Sequence, residues 1–250
     1  MSIDAAEWNY TRAYGERLKP NLFYEEKTGP LKETSYAGRP IIARDTAING
    51  GVYVNIGSKI EAIVVDESRD PAIRKVYEVL RERLKLLEDS GQNVKQHALE
   101  EAYALVQEVM PYSSASVDRI WDKMTDGRKI YLAEFIGGGV CRHQALLVGY
   151  LLEKLVRDGI LGGRPSIDRN YVEGKGGHAW VRYTNSAGVP YIVDAAQNYA
   201  GPLDDMNEAN NRWFYQRPED LETPAKPIQE IDDKPTGIFA KIKEFFLGKK

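Results

Sequence analysis

Between positions 141 and 155 the chain is apolar over so much of a helical circumference that this helix is expected to be central. Ala145, Leu146, Val148, Leu151, Leu152 and Leu155 recur at helical spacing, and Gly159 closes the pattern. A surface helix shows a single apolar stripe, whereas this one needs covering on more than one side. The run Gly137-Gly138-Gly139-Val140 leads directly into Cys141, so the only cysteine of the chain falls at the helix start. A thiol placed there meets the positive end of the peptide dipoles and N–H groups without helical partners, both of which favour thiolate.

Downstream, the segments 178–183 and 189–194 are rich in Val, Ile, Tyr and Trp. They flank Thr184-Asn185-Ser186-Ala187-Gly188, the pattern of an antiparallel hairpin. A turn centred on Ser186 pairs Tyr183 with Val189, Trp180 with Ile192 and His178 with Asp194. Directly opposed residues share a sheet face, with Cβ atoms about 4.5–5.5 Å apart, which brings a carboxylate within reach of an imidazole. A slip of one residue would move the aspartate to the other face. Cys141, His178 and Asp194 are therefore the candidate nucleophile, base and orienting group. His143 lies two residues along the helix from Cys141, on roughly the opposite side, and is set aside as the base. Gly139 and Val140, where backbone can come close, are candidate substrate contacts. Gly177 beside His178, and Trp180 on the same strand face, complete that set.

Composition narrows the class. With 42% hydrophobic and 28% charged residues the chain reads as globular, and a net charge of −3 offers no general pull toward nucleic acid. One cysteine and three histidines without ligand spacing exclude an internal disulfide and a multi-thiolate zinc site, so no metal or other cofactor is expected. There is no apolar run of the ~20 residues that a membrane helix needs, and Met1-Ser2-Ile3-Asp4 opens no secretory signal. The expected location is cytoplasmic, or outside by a route without a classical signal peptide. A free reactive thiol suits a reducing compartment.

Residues 1–69 read as an N-terminal region. It is expected to hold a helix within 1–20 around Trp8, Tyr10 and Tyr14, a polar loop over 21–38, and short strands at 40–42, 52–56 and 60–65. Residues 70–215 read as the core. A helix opens at Asp70-Pro71 with Ile73, Val76, Tyr77, Leu80, Leu84 and Leu87 in phase, a second runs over 94–109 until Pro111, and 116–131 is expected to be partly helical. The connection from Gly162-Gly163-Arg164-Pro165 to Gly174-Lys175-Gly176-Gly177 is glycine-rich and cationic. It reads as a loop, either an ordinary surface connection or the flank of a substrate groove, and it lacks the Gly-Lys-Ser/Thr ending of a phosphate loop. Helices followed by strands predict an α+β fold. Residues 216–236 carry Pro218, Pro224, Pro227 and Pro235 among acidic residues and read as a linker. In 237–250, Ile238, Phe239, Ile242, Phe245 and Phe246 share one face of a basic amphipathic helix running to Leu247. Such a helix is expected to meet a membrane or a partner's groove, or to fold back on its own domain.

Gly-Val-Cys-Arg at 139–142, Ala-Leu-Leu at 145–147, Gly-His-Ala-Trp-Val at 177–181 and the apolar strand ending in Asp194 resemble the bacterial transglutaminase-like branch of the papain-like superfamily. The resemblance covers about residues 130–200. It implies a papain-like, transglutaminase-like core in which the nucleophile opens a central helix packed on an antiparallel sheet carrying His and Asp. It also implies a thioester-forming enzyme in which Cys141 attacks, His178 is the base and Asp194 orients the histidine. Peptide-bond hydrolysis of a protein or peptide is the favoured activity, beside deamidation or transglutamination of protein glutamine. Arylamine N-acetyltransferases share the order of the three residues, but need a larger region after the third than the 56 residues that follow Asp194. Peptide N-glycanases carry paired Cys-x-x-Cys motifs that are missing here. A binding module with an idle triad is the reading from a different class. His143 stands where an acidic residue is commoner, and Ala195 where proline is.

Overall fold

A computed structural model describes residues 6–7, 23–27, 33–56, 60–121, 129–203 and 213–222. The amphipathic segment 237–250, most of the linker and most of 1–20 lie outside the described residues. Residues 1–216 form one compact unit and 217–250 belong to a second.

In chain order the first unit contains β1 (Ala6–Glu7), β2 (Tyr24–Lys27), β3 (Glu33–Tyr36), β4 (Arg39–Pro40), β5 (Val52–Ile56) and β6 (Ile60–Val64). Helices α1 (Pro71–Asp89), α2 (Val94–Val109) and α3 (Ser114–Trp121) follow, then β7 (Lys129–Tyr131) and a 3-10 turn over Leu132–Phe135. Helix α4 (Cys141–Arg157) leads into β8 (Arg164–Val172), β9 (Gly176–Thr184), β10 (Pro190–Asp194) and β11 (Tyr199–Pro202). The second unit is described at α5 (Pro218–Glu222). The fold is mixed α+β.

Local signals place most boundaries. Pro71 occupies the first turn of α1 behind Asp70, and Asn93 caps α2 by accepting from the Lys95 N–H at 3.1 Å. Helix α4 ends at Arg157, with Gly159 at φ +74° just beyond. Twelve of its seventeen residues are buried. Leu146, Leu147, Leu151, Leu152 and Leu155 join a core with Ile73 and Leu80 of α1, Ala102 and Val106 of α2, and Ile167, Val181 and Val193 of the strands. The helix thus has helices on one side and a sheet on another, as its broad apolar surface requires.

That sheet has the order β1-β8-β9-β10-β11 and is antiparallel throughout. Three expectations are corrected here. The glycine-rich connection 162–177 is not a loop: its middle, β8, pairs with β9 along nine residues. The polar run Asp168-Arg169-Asn170 hides this strand from a hydropathy reading, yet all three side chains are buried. Within 21–38 the described residues include β2 and β3, which with β4 just beyond form a small antiparallel sheet where loop was expected. Near the N-terminus, Ala6 and Glu7 pair with Val172 and Tyr171 as an edge strand instead of joining a helix.

The hairpin register also differs from the expected one. Tyr191 pairs with Tyr183 and Val193 with Val181, so paired positions sum to 374 rather than 372. The turn decides this. Asn185 pairs with Val189, its side chain accepts from the Ala187 and Val189 N–H groups, and Gly188 takes φ +83° inside the loop. A two-residue shift preserves the face, so His178 and Asp194 remain on one side as diagonal neighbours.

Candidate active site

Cys141 is half-buried at the first position of α4. Its lead-in is held against the segment after α2: Gly137 N–H donates to Val109 O at 2.8 Å, Gly139 N–H to Pro111 O at 3.1 Å, and Ser113 N–H to Gly139 O at 2.7 Å. A Cβ on Gly139 would come within 2.9 Å of both Met110 Sδ and His143 Cβ. This glycine therefore serves a close approach within the chain itself, and Gly139 and Val140 are both buried. Val140 O accepts from His143 and Gln144 N–H at 2.9 and 3.1 Å. Among the described residues, nothing accepts from the N–H groups of Cys141 and Arg142, as expected at a helix start.

His178 stands on β9 and Asp194 at the end of β10, with His178 Nε2 2.5 Å from Asp194 Oδ2. The other oxygen, Oδ1, accepts from the Ala196 and Gln197 N–H groups at 3.1 Å each. Tyr215 O–H donates to Oδ2 at 2.7 Å. Gln107 of α2 steadies the turn after Asp194 by donating to Ala195 O at 3.0 Å. Nε2 is thereby committed to Asp194, and Cys141 acts on His178 through hydrogen bonding and charge. The structure thus brings the three expected residues together.

Electrostatics follow from these contacts. Burial alone pushes the Cys141 thiol up, but the hydrogen bond and charge of His178, the Ala179 N–H and the nearby Arg142 outweigh it and hold the pKa below its ordinary value. Burial pushes His178 down, while Asp194 and Cys141 lift it to about 9. Opposite shifts of this kind describe a thiolate–imidazolium pair.

Aromatic rings enclose the histidine. The Trp213 ring lies 4.8 Å from that of His178 and is tilted to it, and Trp180 is stacked at 5.9 Å. Asn170, opposite His178 on β8, accepts from Trp213 Nε1 at 2.6 Å and donates to Phe214 O at 2.8 Å. Trp180 is fully buried, so it backs the histidine and does not line an open groove. Gly177 is exposed beside His178. His143 is buried, with Nδ1 accepting from Val140 N–H at 3.0 Å and its ring stacked on Phe135 at 3.7 Å. Burial pushes its pKa down to about 4, and it stands apart from the Cys141–His178 pair.

Asn170, Trp213, Tyr215, Gln107 and Glu61, which is described below, were not singled out from the sequence. The one local signal was the aromatic run Trp213-Phe214-Tyr215 just before a polar tail. Tyr215→Phe removes one donor from Asp194 and leaves its charge less dispersed. The His178 imidazolium is then held more strongly, so its pKa, followed by NMR of the ring protons, is expected to rise. Stability is expected to fall by about 1.5–3 kcal/mol, as for a hydrogen bond to a charged group. An unmoved titration would show that this hydroxyl does not act on the pair.

Among the described residues no group of three or more His, Cys, Asp or Glu side chains is placed to hold a metal, and no helix is long and apolar enough to cross a membrane. Comparison with protein-family models, with curated proteins and with solved structures found no match to this chain.

Proposed function

We propose that this chain is a cysteine-dependent amide-bond enzyme with a papain-like, transglutaminase-like core, acting as a peptidase on protein or peptide substrates. The observation that carries this reading is the grouping of Cys141, His178 and Asp194, with the thiol at the start of a buried helix.

In this mechanism the Cys141 thiolate attacks the carbonyl carbon of an amide. The N–H groups of Cys141 and Arg142, which lack helical acceptors, stabilise the oxyanion that forms. His178 gives its proton to the leaving amine as the C–N bond breaks, leaving a thioester on Cys141. Asp194 keeps the ring oriented and stabilises its charged form. Water then attacks the thioester with His178 taking the proton, and the acid is released as the thiolate re-forms. With a glutamine side-chain amide as substrate, ammonia leaves in the first half of the same steps, and the thioester gives deamidation with water or transglutamination with a lysine amine.

The test compares wild type with Cys141→Ala on a complex protein extract, read by mass spectrometry. New peptide termini made only by wild type are expected. Glutamine converted to glutamate, or Gln–Lys crosslinks, would reassign the acceptor or the substrate while keeping the triad. Identical peptide sets from the two proteins would overturn the enzymatic reading in favour of a binding module.

A further inference from the structure

Glu61 is fully buried on β6, more than 80 residues before the helix it touches. Its carboxylate takes Arg142 through both Nε and Nη2, the latter at 3.0 Å, and lies 3.2 Å from His143 Nε2. Arg142 and His143 are the second and third residues of α4, next to Cys141. His143 Nδ1 accepts from Val140 N–H, so its proton sits on Nε2 and points at Glu61. One acid on the N-terminal sheet therefore grips the opening turn of this helix at two points and, through His143, the residue before Cys141.

Burial raises the pKa of Glu61, but hydrogen bonds from His143 and Arg142 and the arginine charge bring it down to about 2, so it is ionised. A buried carboxylate needs such partners, because leaving it unpaired costs several kcal/mol. Arg142 is in turn one of the groups that favour the Cys141 thiolate. The charge the thiol meets from this side is therefore that of Arg142 balanced by Glu61. Among the described residues, the other ionisable groups that interact with it are His178 from β9, Tyr53 from β5 and Tyr112 before α3. Burial pushes both phenols up, so they stay neutral.

We propose that Glu61 is a positioning residue for Cys141: it holds Arg142 and His143, and its charge balances the arginine beside the thiol. The proposal rests on the enzymatic reading of Cys141, but its test reads the thiol directly and needs no substrate. Glu61→Gln keeps the shape and removes the charge. Arg142 is then uncompensated, and the pH midpoint of iodoacetamide alkylation is expected to fall by about one unit. Arg142→Gln is expected to raise the midpoint, and the double variant E61Q/R142Q to return it toward wild type. A merely structural role would loosen the Cys141–His178 pair and raise the midpoint in both single variants. That result, or an unchanged midpoint, overturns the proposal.

If the variants fail to fold, ring-nitrogen NMR of wild-type His143 decides instead. The proposal requires a proton on Nε2 and none on Nδ1, and the opposite tautomer overturns it. An ordinary thiol midpoint in wild type would count against the enzymatic reading alone, since the opposite shifts of the two variants would still report on Glu61.

Discussion

Replacing His178 with alanine is expected to move the alkylation midpoint of Cys141 to about 8.5 or above, the range of an ordinary or buried thiol. Burial acts on this thiol in the unfavourable direction, and His178 supplies the largest opposing effects through its hydrogen bond and its charge. With the imidazole gone, the Ala179 N–H and Arg142 remain, and burial prevails. Amide turnover is expected to drop by about 10²–10⁴-fold, the usual contribution of a positioned acid–base group. His97→Ala on α2 serves as the control and should leave both readings unchanged.

The same pair fixes the pH behaviour of the wild type. On the proposed mechanism the reactive form needs a thiolate and an imidazolium together, so it exists above the lowered midpoint of Cys141 and below about 9, where His178 gives up its proton. Alkylation needs only the thiolate and should persist on the alkaline side. Amide turnover also needs the proton for the leaving amine and should fall as pH rises through about 9. If turnover instead persists beside alkylation above pH about 9, His178 is not the acid.

The largest effect on stability is expected at Trp180. Its side chain is fully buried and belongs to a cluster with Ile192, Leu203 and Tyr215. It meets the Tyr215 ring edge-on at 5.1 Å between centroids and stacks on His178 at 5.9 Å. Trp180→Ala would empty a site that strands on either side cannot close, at a cost of about 3–5 kcal/mol. Denaturant unfolding measures this directly. Because Tyr215 leans on the indole and bonds Asp194, alkylation of Cys141 should also lose part of its depressed midpoint while the protein is still folded. Trp180→Phe retains a ring in the cluster and should be much milder on both counts.

Short-range chemistry was readable. Helix α2 spans the expected positions because Asn93 caps it and Pro111 follows it closely, and both signals act within a few residues. Strands 52–56 and 60–64 were framed by turn residues. Where the reading failed, contacts from far along the chain had overruled local preference. Asp168, Arg169 and Asn170 look like loop residues, yet they lie in the middle of a buried strand. There Asp168 accepts from Ser166, Arg169 donates to Val54 O, and Asn170 is held by Trp213 and Phe214. The hairpin was recognised, but not where its turn would place Gly188. The error of two residues left His178 and Asp194 on one face because strand faces repeat every second residue.

By itself, the sequence determined where α1, α2 and α4 open, that the only cysteine begins a helix apolar over much of its circumference, and that His178 and Asp194 follow on paired strands. Those outcomes depend on caps, turns and periodicities spanning a few residues. The tertiary structure alone decided what surrounds the three: Glu61 from an N-terminal strand, Gln107 from α2, Asn170 from β8, and Trp213 and Tyr215 from the end of the first unit. Each of the polar groups among them answers the same demand, that a charge or polar atom taken out of water must find a partner. Nothing in local sequence says from which distant segment that partner will come.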